Sequence, residues 1–159
     1  MKLVIKTALM TGSFLLAAAK AGTVSAHDIT DALPEAKGKI DFYTVTCSDN
    51  GAGPPHHVVV QLEEIAPAAV PVIRVLVSKG GAQVTATDPT DGSGGPGPAV
   101  TLNQGPGEYQ LKISKNAAGI DSYEITAHCE TNPASGNAHT GTNIIRLCQN
   151  KKPSKCPFL

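Results

Sequence analysis

Apolar and polar residues alternate along most of the chain from residue 40 onward, and this period-two pattern constrains the fold more than any other feature. Side chains of an extended strand point alternately to the two faces of a sheet, so the pattern predicts strands with one buried face. Turn-forming stretches rich in glycine and proline separate the alternating segments, and none of them shows the 3.6-residue apolar period of a helix. The candidate strands are KIDFYTVTC, HVVVQLEE, PVIRVLVS, AQVTAT, AVTLN, EYQLKIS, DSYEITAHC and TNIIRLC. Short strands without helical crossovers predict an all-β fold, a single β-sandwich of jelly-roll type.

The four cysteines predict two disulfides, and alternation favours one of the three pairings. Cys47 ends the row Tyr43, Val45, Cys47 on one face of its strand, and Cys129 ends a similar row that begins at Tyr123. Both rows have the composition of a core, so we expect a buried Cys47–Cys129 bridge. Cys148 and Cys156 would then close the tail CQNKKPSKC. A zinc site is the competing use, but the Cys-x-x-Cys spacing common in such sites is missing.

The first 26 residues have the anatomy of a secretory signal peptide. Lys2 and Lys6 precede an apolar run that is too short to span a bilayer, and Val24 and Ala26 suit a cleavage site. A cut after Ala21 is the alternative. Cleavage predicts a periplasmic or secreted protein that does not stay inserted in the membrane, consistent with the paired cysteines.

The mature chain of about 133 residues is long enough for one domain. We expect an N-terminal arm at 27–39, the sandwich domain at 40–129, and a C-terminal extension at 130–159. The extension would contain a last strand and the tail closed by the Cys148–Cys156 disulfide. Three of the thirteen basic residues leave with the signal peptide, so the mature chain has ten basic and thirteen acidic residues and a net charge of about −3. This balance argues against nucleic acid as a partner and leaves an unidentified protein or small ligand, with the chain itself a monomer.

Histidines are the candidate metal ligands. Cleavage after Ala26 would leave His27 with a free α-amine, and an amine and imidazole on one residue form a chelate that suits copper once a second imidazole joins. In this respect the N-terminus resembles the histidine brace of copper carriers and lytic polysaccharide monooxygenases. The predicted metal set is His27 with His56 or His57, joined by His139, and the possible cofactor is copper. His128 lies on the outward row of its strand and is predicted to be an exposed surface residue.

No arrangement in the sequence points to catalysis, so we predict no catalytic residues. The serines lack the Gly-x-Ser-x-Gly setting of a nucleophile elbow. Glu63 and Glu64 are adjacent on a strand and therefore face opposite ways, which excludes them as a glycosidase pair with each other. Asp88 and Asp91 in a glycine-rich loop are read as a solvated turn, since a calcium site needs more oxygen ligands.

Three segments together resemble the bacterial pre-peptidase C-terminal domain, a jelly-roll module of secreted proteins. They are DFYTV, GPGEYQLKIS and DSYEITAHC, and the resemblance spans residues 40–129. It implies a binding or accessory module without catalytic residues of its own. The chain departs from the family in its cysteine pair and in PVIRVLVS, which stands where the family has an acidic strand motif.

The sequence therefore predicts an exported, non-enzymatic binding or accessory module of unidentified ligand. The alternative is a periplasmic copper-binding protein that uses His27 with another histidine. A copper monooxygenase is a third reading, and it needs the same residue and a flat substrate face.

Overall fold

The structure, a computed structural model, describes residues 27–66, 72–88 and 95–156. These residues form nine strands and two 3₁₀ turns, at Pro133–Ser135 and Pro153–Lys155, and no α-helix occurs among them. The strands are β1 (His27–Leu33), β2 (Ile40–Ser48), β3 (His57–Ala66), β4 (Ile73–Lys79), β5 (Ala82–Thr87), β6 (Val100–Leu102), β7 (Gly107–Lys115), β8 (Asp121–Glu130) and β9 (His139–Lys151). No helix in the described ranges has the length and apolar character needed to cross a membrane. The predicted signal peptide lies outside the described residues.

Every strand pair is antiparallel, and the strand order is β5-β4-β7-β2-β9-β8-β3-β6, with β1 added beside β8. The long strand β9 connects the two layers, because it pairs with β8 at its start and with β2 along the rest of its length. The sheet is thereby almost closed into a barrel-like sandwich. The fold class predicted from alternation is confirmed.

The inward rows of β2 and β8 meet in the core. Tyr43, Val45, Tyr123 and Ile125 are all at most 1 % exposed. The rows end in the Cys47–Cys129 disulfide, whose Cα atoms are 5.6 Å apart, as alternation predicts. The core is completed from the other strands by Leu33, Val58, Val60, Leu62, Ile73, Val75, Val77, Ala86, Leu102, Tyr109, Leu111 and Ile113.

The second predicted disulfide, Cys148–Cys156, is also present. Cys156 is buried against Ile40 and Phe42 on the outer face of β2, and together they form a second small hydrophobic cluster. The tail therefore covers apolar residues that would otherwise face water.

The stretch expected to be an N-terminal arm begins with a strand. Strand β1 runs antiparallel to β8 from His27↔Ala127 to Leu33↔Asp121, and Leu33 is fully buried in the core. In this register Asp31 lies opposite Tyr123, so a carboxylate belongs to the inward row of β1. That inward carboxylate explains why alternation alone did not predict the strand.

Candidate metal centre

Three strands converge on Glu130, the last residue of β8. The register places His57, the first residue of β3, opposite Glu130 on one side. It places His139, the first residue of β9, opposite Glu130 on the other side. Directly opposed residues share a face of the sheet, and so do residues two apart on one strand, which adds His128. Three imidazoles therefore surround one carboxylate.

The contacts within this group, which we call the histidine–glutamate cluster (His57, His128, Glu130 and His139), are short. The Nε2 atoms of His57 and His128 lie 3.0 and 2.9 Å from the two carboxylate oxygens of Glu130. The Nε2 atom of His139 lies 3.7 Å from the same oxygen that His128 contacts. The rings of His128 and His139 stack almost in parallel, with centroids 4.4 Å apart.

Burial differs across the cluster and sets its electrostatics. Glu130 and His57 are buried, whereas the side chains of His128 and His139 are 18 % and 32 % exposed. Burial lowers the pKa of His128, the nearby imidazole of His139 lowers it further, and Glu130 partly offsets both. Neutral His128 is therefore favoured, which is the protonation state that a metal ligand requires.

The ring nitrogens on the far side of the stacked pair have no partner among the residues that the structure describes. The Nδ1 atoms of His128 and His139 are both buried and without a hydrogen bond there. A buried polar atom in this condition costs about 1–3 kcal/mol. Because these atoms lie on the far side of the rings from Glu130, an ion held between the Nε2 atoms and Glu130 would not satisfy them.

The backbone around the cluster is held by several long-range bonds. Cys129, between His128 and Glu130, is fixed to β2 by its disulfide, and its amide donates to Thr142 Oγ1 at 2.9 Å. Thr140, next to His139, donates from Oγ1 to the Ser48 carbonyl at 2.7 Å. The loop that joins β8 to β9 is closed by the Thr131 amide, which donates to the Ala138 carbonyl at 2.8 Å. The cluster thus sits on anchored strand ends.

The arrangement has the separations expected of an ion site. One atom each from His128, Glu130 and His139 lie within 4.8 Å of one another. Two ligands of a zinc or copper ion are at most about 4.2 Å apart, twice a bond of about 2.1 Å, so the three atoms must move closer together and the nearly parallel rings of His128 and His139 must tilt towards each other to share one ion. A nitrogen-rich set with one carboxylate suits such ions better than calcium or magnesium, which prefer oxygen.

Of the four predicted ligands, the structure brings three to this region. His57 and His139 belong to the cluster, and His56 adjoins it through an Nδ1–Nδ1 contact of 3.1 Å with His57. His27 lies elsewhere. It pairs with the inward residue Ala127, so it faces the opposite side of the sheet from Glu130, about 10 Å farther along β8. There it borders a cavity of about 350 Å³ between β1 and β9.

Two members of the cluster were not predicted. The structure corrects the prediction that His128 is an exposed surface residue, because that side chain is mostly covered by His139 and Glu130. Glu130 was missed because the strand was read as ending at Cys129. The outward row of β8 continues from His128 to Glu130, and this two-residue spacing is the feature of the sequence that places the two side chains on one face. Of the two aspartates in the glycine-rich loop, Asp88 is buried and accepts the Glu64 amide, while Asp91 lies outside the described residues.

Comparison with known proteins gives no match: no family model, no curated protein and no solved structure is similar to this chain.

Proposed function

We propose that the chain is an exported, non-enzymatic binding module whose ligand is a divalent transition-metal ion. The ion is held by His128, Glu130 and His139, while His57 contacts the other carboxylate oxygen of Glu130. The observation that supports this most directly is the convergence of three imidazoles on one buried carboxylate. Copper(II) is expected to bind more tightly than zinc, because a given nitrogen and oxygen site follows that order among first-row ions.

The charge of the cluster favours an ion over an empty site. Glu130 is 6 % exposed, and a buried carboxylate needs a compensating charge. Burial and the nearby imidazole of His139 lower the pKa of His128, so that residue is a poor source of this charge. A divalent cation supplies the missing positive charge and accepts the lone pairs of the imidazoles.

This assignment modifies the copper hypothesis drawn from the sequence. The N-terminal amine and ring of His27 remain a possible chelate only if the chain is cut before that residue, and the cluster does not include them. The two sites can be separated by mutation, because His27 and His139 lie on different strands and on different faces.

The proposed cellular location rests on the two disulfides and on the N-terminal segment. Two disulfides are consistent with an oxidising compartment, and the N-terminal segment resembles a signal peptide. We therefore place the module in the periplasm or outside the cell, as a carrier or sensor of the ion or as an accessory domain. The resemblance to pre-peptidase C-terminal domains supports the accessory role.

Metal titration followed by calorimetry tests the proposal. Protein stripped with a chelator is expected to bind one Cu²⁺ or Zn²⁺ ion. His139→Ala removes an outer ligand with little effect on the core, and Glu130→Gln keeps the shape of the carboxylate but removes its charge. Each is expected to weaken binding at least 10-fold, whereas the matched control His27→Ala leaves it unchanged.

Two results would contradict the proposal. One is wild-type affinity in both His139→Ala and Glu130→Gln. The other is loss of binding in His27→Ala alone, which would return the site to the N-terminal chelate. Circular dichroism of each variant shows whether it remains folded.

A further inference from the structure

A second polar group lies inside the sandwich near the opposite end of β8, and it contains no histidine. The hydroxyl oxygen of Tyr43 lies 2.9 Å from Asp31 Oδ2 and 3.1 Å from the hydroxyl oxygen of Tyr123. The Tyr123 hydroxyl lies 2.7 Å from Asp41 Oδ2. The four side chains therefore form a row, Asp31–Tyr43–Tyr123–Asp41, which we call the carboxylate–tyrosine chain.

The number of protons in this chain does not match the number of contacts if both carboxylates are ionised. Three oxygen–oxygen contacts at hydrogen-bond distance need three protons, and the two tyrosines supply two. With both hydroxyls donating outward, the oxygens of Tyr43 and Tyr123 would face each other without a proton between them. One additional proton on a carboxylate lets all three contacts be hydrogen bonds that run in one direction.

The surroundings of the two carboxylates differ, and they show which one holds the extra proton. Asp31 forms an ion pair with Arg146, with Oδ2 and Nη2 2.5 Å apart, and accepts a 2.7 Å hydrogen bond from Gln149 Nε2, so a cation lies directly beside it. Asp41 is fully buried, and its Oδ1 accepts the neutral amide of Asn150 at 2.6 Å. Burial raises the pKa of Asp41 by more than its hydrogen bonds to Tyr123 and Asn150 lower it.

We propose that Asp41 carries the third proton of this chain in acidic solution, and that this proton helps to hold β1 against β2 and β8, so that the attachment of β1 depends on pH. Asp41 donates to Tyr123, Tyr123 donates to Tyr43, and Tyr43 donates to the charged Asp31. The negative charge of Asp31 is balanced by Arg146, so the buried group is neutral as a whole. Loss of the proton leaves two carboxylates in one chain with a single cation.

The groups that face Asp41 come from each packed element. Strand β1 contributes Asp31, β8 contributes Tyr123 and β9 contributes Arg146, while Tyr43 lies on β2 itself. On β7, the residue opposite Asp41 is the apolar Ile113. Water has a route to the chain, because Tyr43 and Arg146 border the cavity between β1 and β9.

The direction of the pH effect follows from the raised pKa of Asp41. A carboxyl that binds its proton more tightly in the folded state stabilises the fold fully below its unfolded pKa, which is ordinarily 3.8. This contribution is lost as pH rises from there through the folded pKa. Strand β1 is therefore held most firmly in acid and is released more readily towards neutral and alkaline pH.

Thermal unfolding of matched aspartate variants between pH 4 and pH 8 tests the inference. Asp41→Asn mimics the protonated acid, since its amide can donate to Tyr123 and still accept from Asn150. We expect its melting temperature to match that of the wild type at pH 4 and to exceed it at pH 8 by on the order of 4 °C. Asp31→Asn removes the acceptor of the Arg146 ion pair and is expected to melt below the wild type at pH 4, where Asp41 carries its proton.

A carbon-13 NMR titration of the wild-type aspartates needs no variant to fold. The Asp41 carboxyl carbon is expected to titrate above the ordinary value of 3.8. A midpoint at or below 3.8 would overturn the inference. So would an Asp41→Asn variant that is less stable than the wild type at pH 8, or a gap from the wild type that does not change with pH.

Discussion

The two disulfides close loops of very different length, and their contributions to stability should differ accordingly. Cys47 and Cys129 are 82 residues apart, whereas Cys148 and Cys156 are 8 apart. A cross-link removes more conformational entropy from the unfolded chain when the loop is longer. The chain-entropy relation gives about 4.5 kcal/mol for the first bridge and about 2.5 kcal/mol for the second.

The perturbation is replacement of each pair by alanine. We expect Cys47→Ala with Cys129→Ala to lower the free energy of unfolding by about 4.5 kcal/mol. Both sulfur atoms are buried in the core, so a residual cavity would add to this loss. Cys148→Ala with Cys156→Ala is expected to lower it by about 2.5 kcal/mol. Because the loops do not overlap, full reduction should cost about 7 kcal/mol, a large part of the stability of an ordinary domain.

Urea unfolding with a chelator present measures both losses without interference from bound metal. The slope of free energy against urea should rise in the first variant, because its unfolded chain loses a long cross-link and exposes more surface. Equal losses in the two variants, or a larger loss in the tail variant, would show that loop length does not govern the stabilisation. The tail would then act mainly by covering Ile40 and Phe42.

Three further predictions concern packing and ionisation. In Gly141→Ala, a Cβ would lie 2.6 Å from Ser48 Oγ and 2.7 Å from its carbonyl oxygen, so urea unfolding should show a loss of about 1–3 kcal/mol that persists when Ser48 is also alanine. Lys115 is buried and donates to the Pro34 and Gly119 carbonyls, so Lys115→Met should lower the free energy of unfolding by about 1–3 kcal/mol. The same change at the exposed Lys152 should lower it by less than about 0.5 kcal/mol. Burial raises the pKa of Tyr43, to about 12, and those of Tyr109 and Tyr123, so these groups stabilise the fold below the ordinary pKa of 10.0 and this stabilisation is lost above it. Ultraviolet titration should therefore show phenolate appearing together with alkaline unfolding. Titration of the native protein near pH 10 would contradict the burial of these three side chains.

The fold was predictable because it depends on a local property of the sequence. Alternation of side chains assigns each residue to a face, and the inward rows that end in Cys47 and Cys129 then require those cysteines to meet. The strand at His27–Leu33 was missed for a reason of the same kind. Its inward row contains Asp31, whose burial is made acceptable by Tyr43 and Arg146, and those partners are distant in sequence.

The candidate site was only partly predictable, because it depends on register between strands that are far apart in the chain. The sequence identifies His57 and His139 as candidate ligands, but nothing local shows that both lie opposite Glu130. A shift of β9 by one residue would turn His139 to the other face of the sheet. The emphasis on His27 came from the chemistry of a free N-terminus, which is independent of where the fold places that residue.

The two polar groups proposed here lie on the same strand, yet they should behave independently. Tyr123 and Glu130 are seven positions apart on β8, about 23 Å, and the Cys47–Cys129 bridge and much of the core lie between them. They also face opposite sides of the sheet. Sites farther apart than about 10 Å without shared partners usually contribute additively, so Asp41→Asn should leave metal affinity unchanged and Glu130→Gln should leave the carbon-13 titration of Asp41 unchanged. The double variant measures the coupling directly. A coupling well above about 0.5 kcal/mol would mean that β8 transmits strain from the carboxylate–tyrosine chain to the cluster, and that pH and metal act on one shared conformational equilibrium.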